Sequence, residues 1–193
     1  MEVCLQRRLL VAFVGLCGLS RCAVLAGPGT GLPALPASPP GPYRLGAGDG
    51  LNIRVYDQPQ LSGAFAVDDS GMVDMPLLGL LPGAGKTSAE LADEIAAALQ
   101  AKKLILAPSV AVEVAKYRPF YSLGEVSNPG QYPYRPGMTV LTAISIAGGF
   151  TYRAVQGYVG ITRDIGKGPV QYRAPITALA QPGDVITVFE RRF

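Results

Sequence analysis

No cysteine follows residue 22 in this 193-residue chain, so whatever folds downstream must hold together without an internal disulfide. Cys4, Cys17 and Cys22 all lie in the first 26 residues, and histidine and tryptophan are absent throughout. Their absence removes Ser/His and Cys/His nucleophile pairs and the usual nitrogen and sulfur ligands of zinc. Bond-breaking chemistry would have to rest on carboxylates, and the sequence assigns no catalytic, cofactor-binding or metal-binding residue. Apolar burial is left as the main source of stability. A hydrophobic content of 49% suffices for one sizeable core or two small ones.

The first 26 residues read as a leader. Arg7 and Arg8 precede the apolar run "LLVAFVGLCGL", which suits the core of a secretory signal and is too short to span a bilayer comfortably. Val24 and Ala26 are small enough for a signal-peptidase cut after Ala26, so residues 1–26 are expected to be a signal peptide and the chain to be exported. "LSRC" offers a competing fate, with Cys22 as a candidate lipid-attachment site, although Arg21 stands where a small residue is normal. The net charge of +3 falls to +1 once Arg7, Arg8, Arg21 and Glu2 are removed. That balance is too weak and too scattered for the basic stripe of a nucleic-acid binder.

"GLLPGAGKTSAEL", residues 79–91, looks like the end of a nucleotide-binding P-loop. Such a loop needs a glycine six positions before its lysine, so that backbone N–H groups curl around phosphates. Leu80 holds that place, Gly79 comes one residue too early, and no nucleotide is expected. The stretch is better explained by a capping box: Thr87 accepts from the amide of Glu90, and Glu90 reaches back to Thr87. Leu91, Ile95 and Leu99 then repeat at helical spacing, with Lys102 and Lys103 near the negative end of the dipole.

Residues 27–42, "GPGTGLPALPASPPGP", carry six prolines, four glycines and no charge. Such a segment is expected to be an extended tether without sheet ladders. Leu51, Ile53 and Val55 then alternate with polar neighbours as a half-buried strand does. "VDDSGMVDMPLLG" is expected to be a hairpin in which Val67 closes one strand, Asp68 to Gly71 turn, and Met72 to Leu77 return. Asp68 and Asp69 belong to that turn, where neighbouring carboxylates point apart into water, and an acid/base role is not expected. "SVAVEVAKY" is a further strand with Val110, Val112 and Val114 on one face.

A second unit starts near Pro119. "FYSLGEVSNPGQYPY" reads as strand, turn and strand, with Asn128, Pro129 and Gly130 supplying the turn. Thr139 can cap a short helix whose Val140, Ala143, Ile144 and Ala147 form one stripe and which ends at Gly148-Gly149 in the left-handed conformation. "YVGITR" and "DVITVFE" are more strands. "QPGDVITV" echoes "GAGDGLNIRV": each has a Gly-Asp turn leading into a strand, with the aspartate bonding a neighbouring amide. The nine tyrosines include four candidates for sugar stacking, Tyr132, Tyr134, Tyr152 and Tyr158, although tyrosine is also an ordinary strand residue.

The run "YRLGAGDGLNIRVYDQPQLSGAFAVDDSGMVDMPLLG", with "GKTSAELADEIAAAL" and "PSVAVEV" after it, resembles the polysaccharide export domain of outer-membrane polysaccharide export proteins. "YSLGEVSNPGQYPYRPGMTVLTAISIAGGF" resembles the soluble-ligand-binding β-grasp domain that follows it there. The resemblance covers Tyr43 to Phe193 and is nearest to the short, xanthan-type exporters with one β-grasp unit. It implies an α+β fold: a small mixed α/β export domain over residues 43–117, then a ubiquitin-like β-grasp domain over 118–193. Gly48, Asp49, Gly71, Pro76, Gly79, Gly124, Pro129, Gly130, Gly148, Gly149, Gly183 and Asp184 are its structural signature in this chain.

The implied function is non-enzymatic. A ring of identical subunits in the periplasm or outer membrane passes a capsular or exopolysaccharide chain outward, in partnership with an inner-membrane co-polymerase. The alternative is a periplasmic carbohydrate-binding or scaffold module that does not itself conduct; a carboxylate-dependent sugar hydrolase ranks third. Pore-forming members continue into an amphipathic helix, whereas this sequence closes on "VFERRF". The expectation is therefore a periplasmic protein, held there by a lipid if Cys22 is modified, or one whose membrane segment comes from a partner.

Overall fold

The structure is a computed structural model that describes residues 27–36, 41–164 and 168–191. The leader 1–26 with Cys22, and residues 37–40 of the expected tether, lie outside the described residues.

The first half is built on β1 (Gly50–Val55), a 3-10 turn (Pro59–Leu61), β2 (Gly63–Ala66), β3 (Met72–Met75), β4 (Gly79–Pro82), α1 (Ser88–Ala101) and β5 (Val110–Lys116). β1 is central in an antiparallel sheet of order β2-β1-β5. Its alternation has the expected effect: Leu51, Ile53 and Val55 are buried. α1 lays Leu91, Ile95 and Leu99 against them, each with no exposed surface, and Val73 and Met75 complete this core.

The capping box at Thr87 is present in both directions, the Glu90 amide donating to Thr87 Oγ1 (3.2 Å) and the Thr87 amide to Glu90 Oε2 (2.8 Å). Lys86 pairs with Glu94. At the other end of α1, Lys102 Nζ donates to the carbonyls of Leu77 and Leu78 (2.9 and 3.0 Å), tying the helix to the β3–β4 turn.

The expected hairpin needs correction. Asp68 to Gly71 do turn, with Asp68 Oδ1 accepting from Ser70 Oγ (2.6 Å) and the Met72 amide (2.8 Å). Those bonds, Ser70 first, hold the Asp68 carboxyl below its ordinary range. However, β3 ladders with β4, from Met72 opposite Pro82 to Met75 opposite Gly79, and meets the preceding segment only at the Val67–Val73 bridge. Val67 turns its own amide and carbonyl to the opposite edge, toward the Asp49 carbonyl and the Gly48 amide (2.9 Å each), while the bridge to β3 is held by the Asp68 amide on the Met72 carbonyl (2.8 Å). Pro76 and Leu77 sit in the β3–β4 turn and not in the strand.

The second half contains β6 (Phe120–Gly124), β7 (Gly130–Tyr132), α2 (Val140–Ile146), β8 (Tyr158–Asp164), β9 (Pro169–Pro175) and β10 (Val185–Val188). Its sheet has the order β7-β6-β10-β8-β9, with the last strand inserted parallel to β6 and antiparallel to β8. This is the expected β-grasp arrangement. Thr139 caps α2, and Val140, Ala143, Ile144 and Ala147 are all fully buried against Phe120, Val159, Ile161 and Ile186. Gly148 and Gly149 both take φ +86°. At Gly124 (φ +82°) a Cβ would come within 2.2 Å of the Val188 carbonyl oxygen, so only glycine lets β6 end against β10.

β9 is not evident from sequence because "PVQYRAP" opens and closes on proline; as an edge strand it tolerates both. The segment expected to be a free tether is also different where it is described. The Leu35 amide donates to the Arg173 carbonyl (2.8 Å) and the Arg173 amide to the Pro33 carbonyl (2.7 Å), so Ala34 forms a parallel bridge on the open edge of β9. Tyr158 Oη donates to the Pro28 carbonyl (2.8 Å). Proline removes donors from this segment, but one amide and one carbonyl at the right spacing are enough for a bridge.

Two substitutions separate the two cores. Thr87→Ala should lower unfolding free energy by about 1 kcal/mol through loss of the cap. Arg163→Met, which strands the buried Asp184 described below, should cost about 3–5 kcal/mol. Urea unfolding of each variant, followed by amide exchange in each half, checks both values.

Candidate functional site

Two Gly-Asp turns hold the linker between the halves, one at Arg118 and one at Pro119, and they are built alike. Gly48 and Gly183 have φ of +91° and +86°, a conformation that glycine adopts without a Cβ penalty. Asp49 Oδ2 accepts from the Gly46 amide (2.9 Å), and Asp184 Oδ2 from the Gln181 amide (2.7 Å), three residues back in each case. Each turn also exchanges backbone bonds with a neighbouring segment: Gly48 and Asp49 with Val67, Gly183 with Pro119, and Asp184 with Tyr121. The sequence echo is thus a repeated structural device.

Each carboxylate is buried and each meets an arginine. Arg163 grips Asp184 in bidentate fashion, Nε to Oδ1 at 2.8 Å and Nη2 to Oδ2 at 2.7 Å, and adds a bond to the Leu179 carbonyl (3.0 Å). Asp49, with no exposed surface, accepts the Arg118 backbone amide on Oδ1 (3.0 Å) and the Tyr43 hydroxyl on Oδ2 (2.5 Å). Arg118 Nε lies 3.4 Å from Oδ1, close enough for charge attraction but too poorly aligned to hydrogen-bond. Arg118 Nη2 donates to Tyr43 Oη (3.3 Å).

Burial, then the hydrogen bond to Asp49, pushes the Tyr43 phenol well above its ordinary value of 10. Burial alone would lower Arg118, but its hydrogen bond to Tyr43 and the Asp49 charge outweigh that and raise it.

Above this joint runs a ladder of rings that crosses from one half to the other. Tyr43 meets Tyr117 edge-on at 5.1 Å between centroids, and Tyr117 meets Tyr134 edge-on at 5.7 Å. Tyr117 and Tyr134 line a cleft of ≈580 Å³ together with Lys116, Gln131 and Tyr132. Tyr132 stacks on Phe120 (5.7 Å) and anchors its hydroxyl on the Asn128 carbonyl (2.5 Å). Burial raises the Tyr134 phenol too. A second hollow of ≈490 Å³ lies at the end of β1 beside the exposed Tyr56, and it involves only the first half.

Of the four candidate tyrosines, the fold therefore brings Tyr132 and Tyr134 together. Tyr158 is three strands away across the sheet, with Arg173 over its ring at 3.9 Å. Tyr152 stands on the loop before β8, 86% exposed. Lys116, Tyr117, Arg118 and Tyr43 were not singled out from sequence; the one available signal was Asp49, whose turn they surround. Among the signature positions, Gly71, Gly79 and Gly124 take positive φ as the two turn glycines do, Pro129 precedes Gly130 at the start of β7, and Pro76 sits in the β3–β4 turn. Among the described residues no group of three or more His, Cys, Asp or Glu side chains could hold a metal ion.

Residues 37–115 match the family described as polysaccharide biosynthesis/export protein, and residues 120–174 match the SLBB domain. The chain belongs to the polysaccharide export protein family. The boundary between the two matches falls at the β5–β6 linker, where Arg118 binds Asp49. Over 118 residues it is 44% identical to the exopolysaccharide production protein ExoF of Rhizobium meliloti (strain 1021), covering 55% of this chain and 28% of that one. Over 169 residues it is 32% identical to the EPS I polysaccharide export outer membrane protein EpsA of Ralstonia nicotianae, covering 74% and 43%. The matched stretches span less than half the length of these relatives.

The Tyr43 shift sets a pH dependence. A phenol whose folded pKa lies above its unfolded value stabilises the fold fully below pH 10, and that contribution fades as pH rises above it. Unfolding free energy should therefore fall with pH beyond 10, and Tyr43→Phe should flatten the slope. Urea denaturation from about pH 9 to about pH 11 reads the difference in slope.

Proposed function

We propose that this polysaccharide export protein is a subunit of the machinery that passes a finished exopolysaccharide or capsular polymer outward, at the periplasm or the periplasmic face of the outer membrane. The alignment that carries the reading is the one over 74% of the chain to a protein named for polysaccharide export at the outer membrane. It spans both halves and so takes in the joint between them. In this reading copies of the chain assemble into a ring, an inner-membrane co-polymerase delivers the polymer, and no bond is made or broken. The leader directs export and is either cut after Ala26 or lipidated on Cys22. Tyr132 and Tyr134 supply sugar contacts from the cleft, with Tyr152 and Tyr158 as outlying contacts. Among the described residues no helix is long and apolar enough to cross a membrane.

The reading has a direct test in the host. Removing the gene should leave polymer synthesis running while product accumulates in the periplasm, measured as polymer in periplasmic extracts against culture medium. Unchanged secretion would overturn it. Sedimentation of the purified chain separates conduit from binding module, since a conduit gives one closed ring of defined mass.

A further inference from the structure

We propose that the cleft between the export domain and the β-grasp domain is a saccharide subsite that prefers an acidic sugar unit, such as a hexuronate, over a neutral one. The proposal rests on the export reading for its ligand class and on the cleft itself for its location and preference. At ≈580 Å³ the cleft falls within the range of small-ligand sites, about 300–1,000 Å³. Its aromatic walls are Tyr117 from the linker and Tyr132 and Tyr134 from the β-grasp hairpin, with Gly48, Ala115 and Lys116 of the export domain beside them. Aromatic faces are electron-rich and accept the polarised C–H groups of a pyranose ring.

The polar groups decide the charge. Lys116 lines the cleft, is exposed, and makes no ion pair among the described residues. No lining residue is acidic. The carboxylates of the two Gly-Asp turns, Asp49 and Asp184, are buried within those turns against Arg118 and Arg163, so neither offers a free negative charge to the cleft. Gln131, also exposed, supplies an amide able to donate to a sugar hydroxyl or carboxylate and to accept from a hydroxyl. A cation without a partner beside ring faces recognises a carboxylate-bearing sugar better than a neutral one.

Amide-shift titration of the purified chain with trigalacturonate and with maltotriose tests this. Trigalacturonate should move the amides of Lys116, Tyr117, Gln131 and Tyr134 and bind about two- to fivefold tighter than maltotriose, the range open to one exposed ion pair. Raising salt to about 1 M should erase the difference. Lys116→Gln, at an exposed site, should reduce trigalacturonate to the maltotriose level, and Gln131→Ala should weaken both. Equal binding of the two sugars would overturn the preference, and unmoved cleft amides would overturn the subsite. If the cleft stays silent while gene loss still traps polymer in the periplasm, the subsite fails and the export reading stands. Cleft binding with normal secretion is the reverse result.

Discussion

The buried carboxylate of Asp49 is the constraint on which the arrangement of the chain depends. An ionised carboxyl taken out of water costs several kcal/mol unless its lone pairs are met. Here they are met by Gly46 N, Tyr43 Oη, Arg118 N and the nearby Arg118 guanidinium. Those partners come from the entry to the first domain and from the linker to the second. Satisfying one side chain therefore fixes where the chain enters the export domain and where it leaves. The same turn exchanges both backbone bonds with Val67 and so also fixes the start of the Asp68–Gly71 turn.

Asp184 repeats the device with a different partner. Its arginine, Arg163, lies on β8 of its own domain, whereas the arginine of Asp49 lies in the linker. The second turn still reaches the linker through its backbone, since Gly183 donates to the Pro119 carbonyl (3.0 Å) and Tyr121 to the Asp184 carbonyl (2.9 Å). Tyr117 to Pro119 are thus held from the first domain by Asp49 and from the second by the Gly183-Asp184 turn. A short linker bound on both sides positions the walls of the cleft before any ligand arrives, and such preorganisation lowers the ordering cost of binding.

Local features of the fold were legible in the sequence because they obey local rules. The β1 alternation, the Thr87–Glu90 box, the α2 stripe and the glycine pair after it each follow from neighbours a few residues apart. What escaped depended on distant partners. Nothing near Met72 says that β3 will ladder with β4 after a single bridge to Val67, and nothing in "GLPALP" says that Ala34 will bridge to Arg173. The site was legible only in part for the same reason. Tyr132 and Tyr134 were visible as tyrosines, but their link to Tyr117 and Tyr43 is a contact between domains, and Tyr158 looked equivalent until the strand order put it three strands away.

The proposed role also constrains how strongly the cleft can hold sugar. A polymer that must keep moving cannot dwell at any one station, and differences in affinity among related sites appear mostly as differences in dissociation rate. An enclosed pocket with several buried charges would hold a sugar unit too long. This cleft instead combines partly exposed rings, one solvent-screened cation and one amide, each a weak contact. The strong electrostatics, Asp49 with Arg118 and Asp184 with Arg163, are spent inside the protein on holding the cleft in shape. Repeated around a ring of copies, such weak stations would guide a chain without stopping it, and specificity would come from their spacing and charge.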